Sequence, residues 1–144
     1  MRIASLGHVV LRVSDLDRAQ AFYHDLLGLP ISARSDEWSM VFFTLGQHHD
    51  FAVTVPSEAR SSDPNQVGLD HVAFQLDGGL ESLRDAKARL EAEGIQVAAM
   101  DHVVSKSIYF ADPDGNGVEL YINGTDAWRE NPALILSEGG ALEL

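Results

Sequence analysis

Three residues of this chain are of types that bind a divalent metal, and each lies in a stretch typical of a strand. His8 and His71 begin two related stretches, HVVLRV and HVAFQL, and Glu119 lies within GVELY. Two neutral imidazoles and one carboxylate form the facial triad that leaves one side of a metal open, a set typical of non-haem Fe(II) oxygenases. The sequence therefore predicts a metal centre formed by these three residues.

Each of the three also has a structural alternative. A single histidine at the start of a strand is equally explained as a half-buried structural residue. Glu119 is equally explained as a solvent-facing residue of an edge strand, because its run alternates apolar and polar residues. The metal interpretation is favoured because His8 and His71 occupy equivalent positions of a repeat with an offset of 71 minus 8, or 63, residues.

Two similar successions of elements would position these residues. The first half has a predicted strand from about Ile3 to Val13, an amphipathic helix from Leu16 to Leu27, and three further strands. The second half has a strand from Asp70 to Leu76, a helix from about Gly79 to Glu93, and three strands, the last two joined by a structural turn at Asp112–Asn116. We therefore predict an α+β fold in which two βαβββ modules form a curved mixed sheet around a metal cleft.

The length and composition fit one domain. The chain has 144 residues, of which 45% are hydrophobic, and this is enough to bury a sizeable core. We expect a single domain over residues 1–144, with one module at about 3–55, a second at about 69–122 and a tail at 123–144. For the tail we consider a cover over the pocket, a contact with a partner subunit, or an extra strand or helix of the core.

The charge and the cysteine content exclude several functions. A formal net charge of −12 argues against binding to nucleic acid or to an anionic membrane. The absence of cysteine excludes disulfides, zinc–thiolate sites and thiol nucleophiles. We find no signal peptide or long apolar span, so a cytoplasmic location is the default expectation. Small molecules are the expected partners.

Three stretches match motifs of a known superfamily. They are HVVLRVSDL from His8, LDHVAF around His71, and YFADPDGNGVELY, which ends at Tyr121 and is the most specific. By these motifs the chain resembles the vicinal oxygen chelate superfamily, and within it the extradiol ring-cleaving catechol dioxygenases. The resemblance implies Fe(II), with Mn(II) as the alternative metal, bound by His8, His71 and Glu119. It also implies a small aromatic diol and dioxygen as substrates, and a homodimer or higher homo-oligomer.

The resemblance assigns three further residues to catalysis. Tyr109 stands ten positions before the glutamate, as in the family, and His102 and His49 match two family histidines. An imidazole titrates near neutral pH, so His49 is our candidate acid and base, while His102 would donate a hydrogen bond to a substrate oxygen. The structural alternatives are simple packing for Tyr109 and a solvated turn residue for His49.

Two departures from the extradiol pattern limit the resemblance: better-known extradiol enzymes carry an additional pair of modules, and His102 lies closer to Tyr109 than in some family members. The glyoxalase I branch adds a glutamate on the last strand of the first module, where this chain has FAVTV, and its absence favours an open oxygenase-type site. Two other functions are considered. The first alternative is another metal-dependent member of the superfamily, such as a lyase, an isomerase, a glyoxalase-like enzyme or a glutathione transferase. The second is a non-catalytic resistance protein that sequesters an aromatic drug.

Overall fold

The computed structural model of the protein describes residues 5–46, 48–56 and 69–144. The chain divides into two compact units, Met1–Val67 and Gly68–Leu144, and each is described here by itself. Each unit contains a strand, a helix and three further strands, to which the second unit adds a short C-terminal strand, and the strands of each unit form one mixed sheet. The predicted α+β fold with two βαβββ modules is confirmed.

The first unit has a four-stranded sheet. Its strands are β1 (Val9–Arg12), β2 (Ile31–Ser35), β3 (Met40–Phe43) and β4 (Phe51–Thr54). They lie in the order β1-β4-β3-β2, with β1 parallel to β4 and the other pairs antiparallel. The strand β1 is shorter than the predicted one, because residues 5–8 are irregular; residues 1–4 lie outside the described ranges.

The helix of the first unit begins and ends where its sequence predicts. The side chain of Asp15 caps α1 (Leu16–Gln20) by accepting a hydrogen bond from the Arg18 amide at 2.7 Å. The helix continues as a π-helical segment, Ala21–Leu26, and ends at Gly28, whose φ is +83°. The fully buried Tyr23 in this segment packs against two aromatic rings of the sheet, Phe43 and Phe51.

The second unit has a five-stranded sheet and one long helix. Its elements are β5 (His71–Gln75), α2 (Leu80–Ala92), β6 (Ala98–Asp101), β7 (Ser105–Ala111), β8 (Gly117–Asn123) and β9 (Gly140–Ala141). The order is β5-β8-β7-β6-β9, and only β5 and β8 are paired in parallel. The C-terminal tail forms two 3₁₀ turns, Ala127–Arg129 and Pro132–Leu136, before it adds β9 to the sheet.

One face of this second sheet forms the apolar core of its unit. Alternate residues of β7 and β8 are buried on the side of α2, which contributes Leu83 and Leu90; they are Ile108, Phe110, Val118, Leu120 and Ile122. Because side chains alternate along a strand, the residues between them lie on the opposite face. None of the helices in the described ranges combines the length and hydropathy needed to span a bilayer.

The turn between β7 and β8 is structural, as its sequence predicts. The buried carboxylate of Asp112 accepts hydrogen bonds from the amides of Asp114 (2.9 Å) and Asn116 (2.8 Å), and from Nδ2 of Asn116 (2.8 Å). These bonds fix the connection between the strand that carries Tyr109 and the strand that carries Glu119.

Candidate functional site

Four predicted site residues lie on one face of the second sheet. Tyr109 on β7 and Glu119 on β8 are directly paired, and Glu119 is paired in turn with Ala73 on β5. His71 stands two residues before Ala73, so it shares this face. Ala98 on β6 is paired with Tyr109. Because side chains alternate along a strand, His102, four residues after Ala98, lies on the same face. The sheet register therefore brings His71, Glu119, Tyr109 and His102 together.

The side chains of His71 and Glu119 are in direct contact. His71 Nε2 lies 3.0 Å from Glu119 Oε2. Glu119 is 8% exposed and lies on β8, which has β5 on one side and β7 on the other. The alternative of a solvent-facing residue on an edge strand is therefore wrong. Glu119 is a buried carboxylate whose charge requires a partner.

A second carboxylate orients the His71 ring. His71 Nδ1 lies 2.7 Å from Oδ2 of the exposed Asp70, and since a carboxylate only accepts, Nδ1 donates this bond. In a neutral ring Nε2 then carries only a lone pair, and it faces an oxygen of Glu119. Such a pair is favourable when a proton or a metal cation lies between them. A carboxylate on the outer nitrogen of a ligating histidine is a common feature of metal sites.

Tyr109 connects this pair to His102. The Tyr109 hydroxyl lies 2.8 Å from His102 Nε2, and its ring is perpendicular to that of His71 at a centroid distance of 5.7 Å. Burial, followed by the negative charge of Glu119 and a hydrogen bond to it, raises the pKa of Tyr109 above its usual value. The raised pKa keeps Tyr109 a phenol at neutral pH, and its hydroxyl and His102 Nε2 share one hydrogen bond.

The remaining predicted residues, His8 and His49, meet in the first unit. Their ring centroids are 4.3 Å apart, and His49 also contacts Phe42 (5.2 Å) and His48 (4.4 Å). Burial, followed by the charges of His8 and His48, lowers the pKa of His49, and Asp50 opposes these effects. A lowered pKa keeps the His49 ring neutral near pH 7, as a proton acceptor requires.

Within each unit, the described residues gather no group of three histidine, aspartate or glutamate side chains poised to hold a metal. His71 and Glu119 belong to the second unit and His8 to the first. The three-residue metal set therefore stays a prediction, with two of its members in contact.

Two features of the site were not identified from the sequence. The first is Asp70, although the Asp–His dipeptide was a usable signal. The second is a register that the FAVTV stretch alone does not reveal: the row Ala73–Glu119–Tyr109 in the second sheet corresponds to a row formed by Val10, Ala52 and Phe42 in the first. Val10 stands two residues after His8, as Ala73 does after His71. The first sheet therefore keeps the histidine but has apolar residues in place of the carboxylate and the phenol.

Comparison with known proteins identifies the family. The family model of the Glyoxalase/Bleomycin resistance protein/Dioxygenase superfamily matches residues 5–120. The chain belongs to this superfamily. Its members include dioxygenases, glutathione transferases and lyases, and they bind divalent metals.

Individual relatives within the superfamily differ in activity. The chain is 34% identical over 128 residues to a glutathione transferase FosA of Serratia marcescens, covering 87% of this chain and 85% of that protein. It is 30% identical over 122 residues to a catechol-2,3-dioxygenase of Bacillus subtilis (strain 168), covering 81% of this chain but 40% of the dioxygenase. Among solved structures, a lactoylglutathione lyase from Agrobacterium tumefaciens is 30% identical with a TM-score of 0.64, covering 85% of this chain and 96% of that one.

Proposed function

We propose that this protein is an extradiol-type dioxygenase, which cleaves the ring of a catechol-like substrate next to its two hydroxyls. In this proposal His8, His71 and Glu119 bind non-haem Fe(II), and His49, His102 and Tyr109 act on the substrate. The observation that carries the proposal is the His71–Glu119 contact of 3.0 Å, next to the Tyr109–His102 hydrogen bond of 2.8 Å. The identity to a catechol-2,3-dioxygenase also supports it.

The contact between His71 and Glu119 fits a metal ligand pair. The imidazole nitrogen and the carboxylate oxygen face each other from adjacent strands, and Asp70 binds the outer nitrogen of the ring. Nitrogen and oxygen donors of this kind suit Fe(II), and His8 would complete the facial set. When bound, Fe(II) would supply open positions for the two substrate oxygens and the redox chemistry with dioxygen.

Tyr109 and His102 are suited to hold the substrate through hydrogen bonds. Because the pKa of Tyr109 is raised, its hydroxyl keeps a proton at neutral pH and has one to donate to a substrate oxygen. His102 Nε2 forms a hydrogen bond with the same hydroxyl, so the two side chains meet at one point on the face of the sheet. We assign Tyr109 and His102 to the orientation of the bound diol.

His49 is suited to move a proton. A catechol loses hydroxyl protons when it chelates a metal, and a neutral imidazole accepts one. The lowered pKa of His49 favours the neutral ring, in which one nitrogen carries a lone pair. The same nitrogen returns the proton when the ring opens. Both atoms of dioxygen enter the product, so the reaction needs no external reductant.

A thiol transferase is the second candidate, and chain coverage favours it. The match with FosA covers 85% of that protein, whereas the match with the catechol dioxygenase covers 40%. In this candidate the same ligand set binds a metal that activates a small electrophile, and glutathione is the second substrate. The two candidates differ in their requirement for dioxygen.

The test is oxygen uptake by protein reconstituted anaerobically with Fe(II). A panel of catechols is added with dioxygen, and the visible spectrum is recorded; we expect uptake equal to the amount of a yellow ring-opened product. A parallel assay offers glutathione and fosfomycin under argon. Glutathione consumption without oxygen uptake would replace the first candidate by the second, and failure to bind any divalent metal would refute both and favour a non-catalytic binding protein.

The matched control separates metal loss from misfolding. Glu119→Gln keeps the size of the side chain but removes its charge, so we expect a folded protein that retains little Fe(II) and no activity. Glu130→Gln makes the same change at an exposed residue outside the site and leaves the ligand set intact. Equal metal retention in both variants would remove Glu119 from the proposed ligand set.

A further inference from the structure

The end of the chain packs against the segment that carries His102. The short strand β9 pairs with β6, where Met100 is opposite Ala141 and Asp101 is opposite Gly140. The amide of Leu142 also donates a hydrogen bond to the carbonyl of Ala99 at 3.2 Å. These contacts attach the C-terminal segment, residues 137–144, to the three residues that precede His102.

Gly139 of this segment lies next to Asp101 and His102. A Cβ atom added at Gly139 would lie 2.5 Å from the carbonyl oxygen of Asp101 and 3.4 Å from His102 Nδ1. A side chain therefore has no room there, because the first contact is with backbone. The other ring nitrogen of His102 contacts the Tyr109 hydroxyl. Gly139 and Tyr109 thus lie at opposite nitrogens of one imidazole.

The hairpin that contains His102 is also held on a second side and has a strained backbone. A Cβ atom added at Gly124 would lie 2.5 Å from the Val103 carbonyl, and the Gly124 amide donates to the Val104 carbonyl at 2.9 Å. Val103 has a φ of +68°, which β-branched residues rarely adopt. Strained conformations of this kind persist where the surrounding structure holds them in place.

We propose that the C-terminal segment, through the packing of Gly139 against the Asp101 carbonyl, positions His102 so that its Nε2 reaches the Tyr109 hydroxyl. Gly139 is then a positioning residue that acts through His102. The proposal rests on the proposed function only for the role of His102 in turnover. The geometry of the His102–Tyr109 pair is measurable without a substrate.

Two glycines of the tail provide a matched pair of variants. Gly139→Ala places a methyl group against the Asp101 carbonyl, whereas Gly140→Ala places it in space with no atom within 4 Å. We expect Gly139→Ala to lower kcat by about 10²-fold, as a small misplacement of a reacting group does, with a smaller effect on KM. Gly140→Ala should match the wild type.

A double variant distinguishes positioning from general stabilisation. In a His102→Ala background, Gly139→Ala should lower kcat little further, since the residue through which it acts is gone. The proposal would be overturned if Gly139→Ala lowered kcat by the same factor in both backgrounds. It would also be overturned if Gly139→Ala and Gly140→Ala lowered kcat equally. If Gly139→Ala does not fold, Leu142→Pro removes the amide that donates to Ala99 and should also lower kcat; wild-type activity of this variant would overturn the proposal.

A spectroscopic measurement keeps this proposal separate from the proposed reaction. We would record the ¹H–¹⁵N correlations of the His102 imidazole, which report on the hydrogen bond at Nε2. Gly139→Ala should shift the Nε2 signal toward that of the Tyr109→Phe variant, and Gly140→Ala should leave it unchanged. An unchanged Nε2 signal in Gly139→Ala would refute the positioning role, whereas absence of catechol turnover in the wild type would refute only the proposed function.

Discussion

Replacing Asp112 by Ala tests how firmly the turn between β7 and β8 is held. Asp112 is 5% exposed, and its carboxylate accepts three hydrogen bonds from Asp114 and Asn116. The Ala variant loses all three and leaves their donors without this partner. At about 1 kcal/mol for each bond, we expect the free energy of unfolding to fall by roughly 3 kcal/mol.

The conservative variant Asp112→Asn refines this prediction. Oδ1 accepts both backbone amides and Oδ2 accepts Asn116 Nδ2, so an Asn oxygen at the Oδ1 position keeps two of the three bonds. The expected loss is then about 1 kcal/mol. Urea unfolding followed by circular dichroism measures both variants, with an unchanged m-value as the check on two-state behaviour. If the Ala variant lies within about 0.5 kcal/mol of the wild type, or if Asn costs as much as Ala, the assigned bonds do not stabilise the turn.

Three further predictions concern the metal, the phenol and pH. Fe(II) at 100 times its Kd should raise the free energy of unfolding by about 2.7 kcal/mol under argon, and a chelator should reverse the gain; the same gain in Glu119→Ala would contradict the ligand assignment. Tyr109→Phe should retain Fe(II) but turn over about 10²-fold more slowly in oxygen uptake, and loss of the metal would contradict the role of Tyr109. The hydrogen bond from Lys106 holds the pKa of Asp101 below its usual 3.8. This bond therefore stabilises the fold above pH 3.8, and its contribution to stability is lost as the pH falls through the folded-state pKa of Asp101. Lys106→Met should therefore be less stable than the wild type at pH 7 but not at strongly acid pH; a difference that does not change with pH in urea unfolding would refute this.

The first helix illustrates what the sequence predicts and what it leaves open. The apolar spacing from Leu16 to Leu27 and the glycine at position 28 are local features, and they predict the extent of the helix well. The π-helical form of Ala21–Leu26 and the packing of its buried Tyr23 against the rings of the sheet were not predicted. Tertiary packing of this kind leaves no periodic signal in one sequence.

In the candidate site, too, the sequence predicts the residues but not how they are arranged. The repeat and the motifs identify His71, Glu119, Tyr109 and His102, but only the register of β5, β8, β7 and β6 shows that they share a face. The alternation of apolar and polar residues around Glu119 fits either exposure or burial, and the position of β8 inside the sheet decides for burial. The role of the tail was undecided in the sequence, because a two-residue strand that begins with glycine has no strand propensity.

The Ala52 position gives the first unit a different evolutionary freedom from the second. Ala52 is fully buried, and its place in the row of the first sheet corresponds to that of Glu119 in the second. A glutamate at position 52 would bring a carboxylate into the interior of the first sheet, where its charge would cost stability unless a cation neutralised it. Whether such a variant survived would therefore depend on the divalent metal available to it.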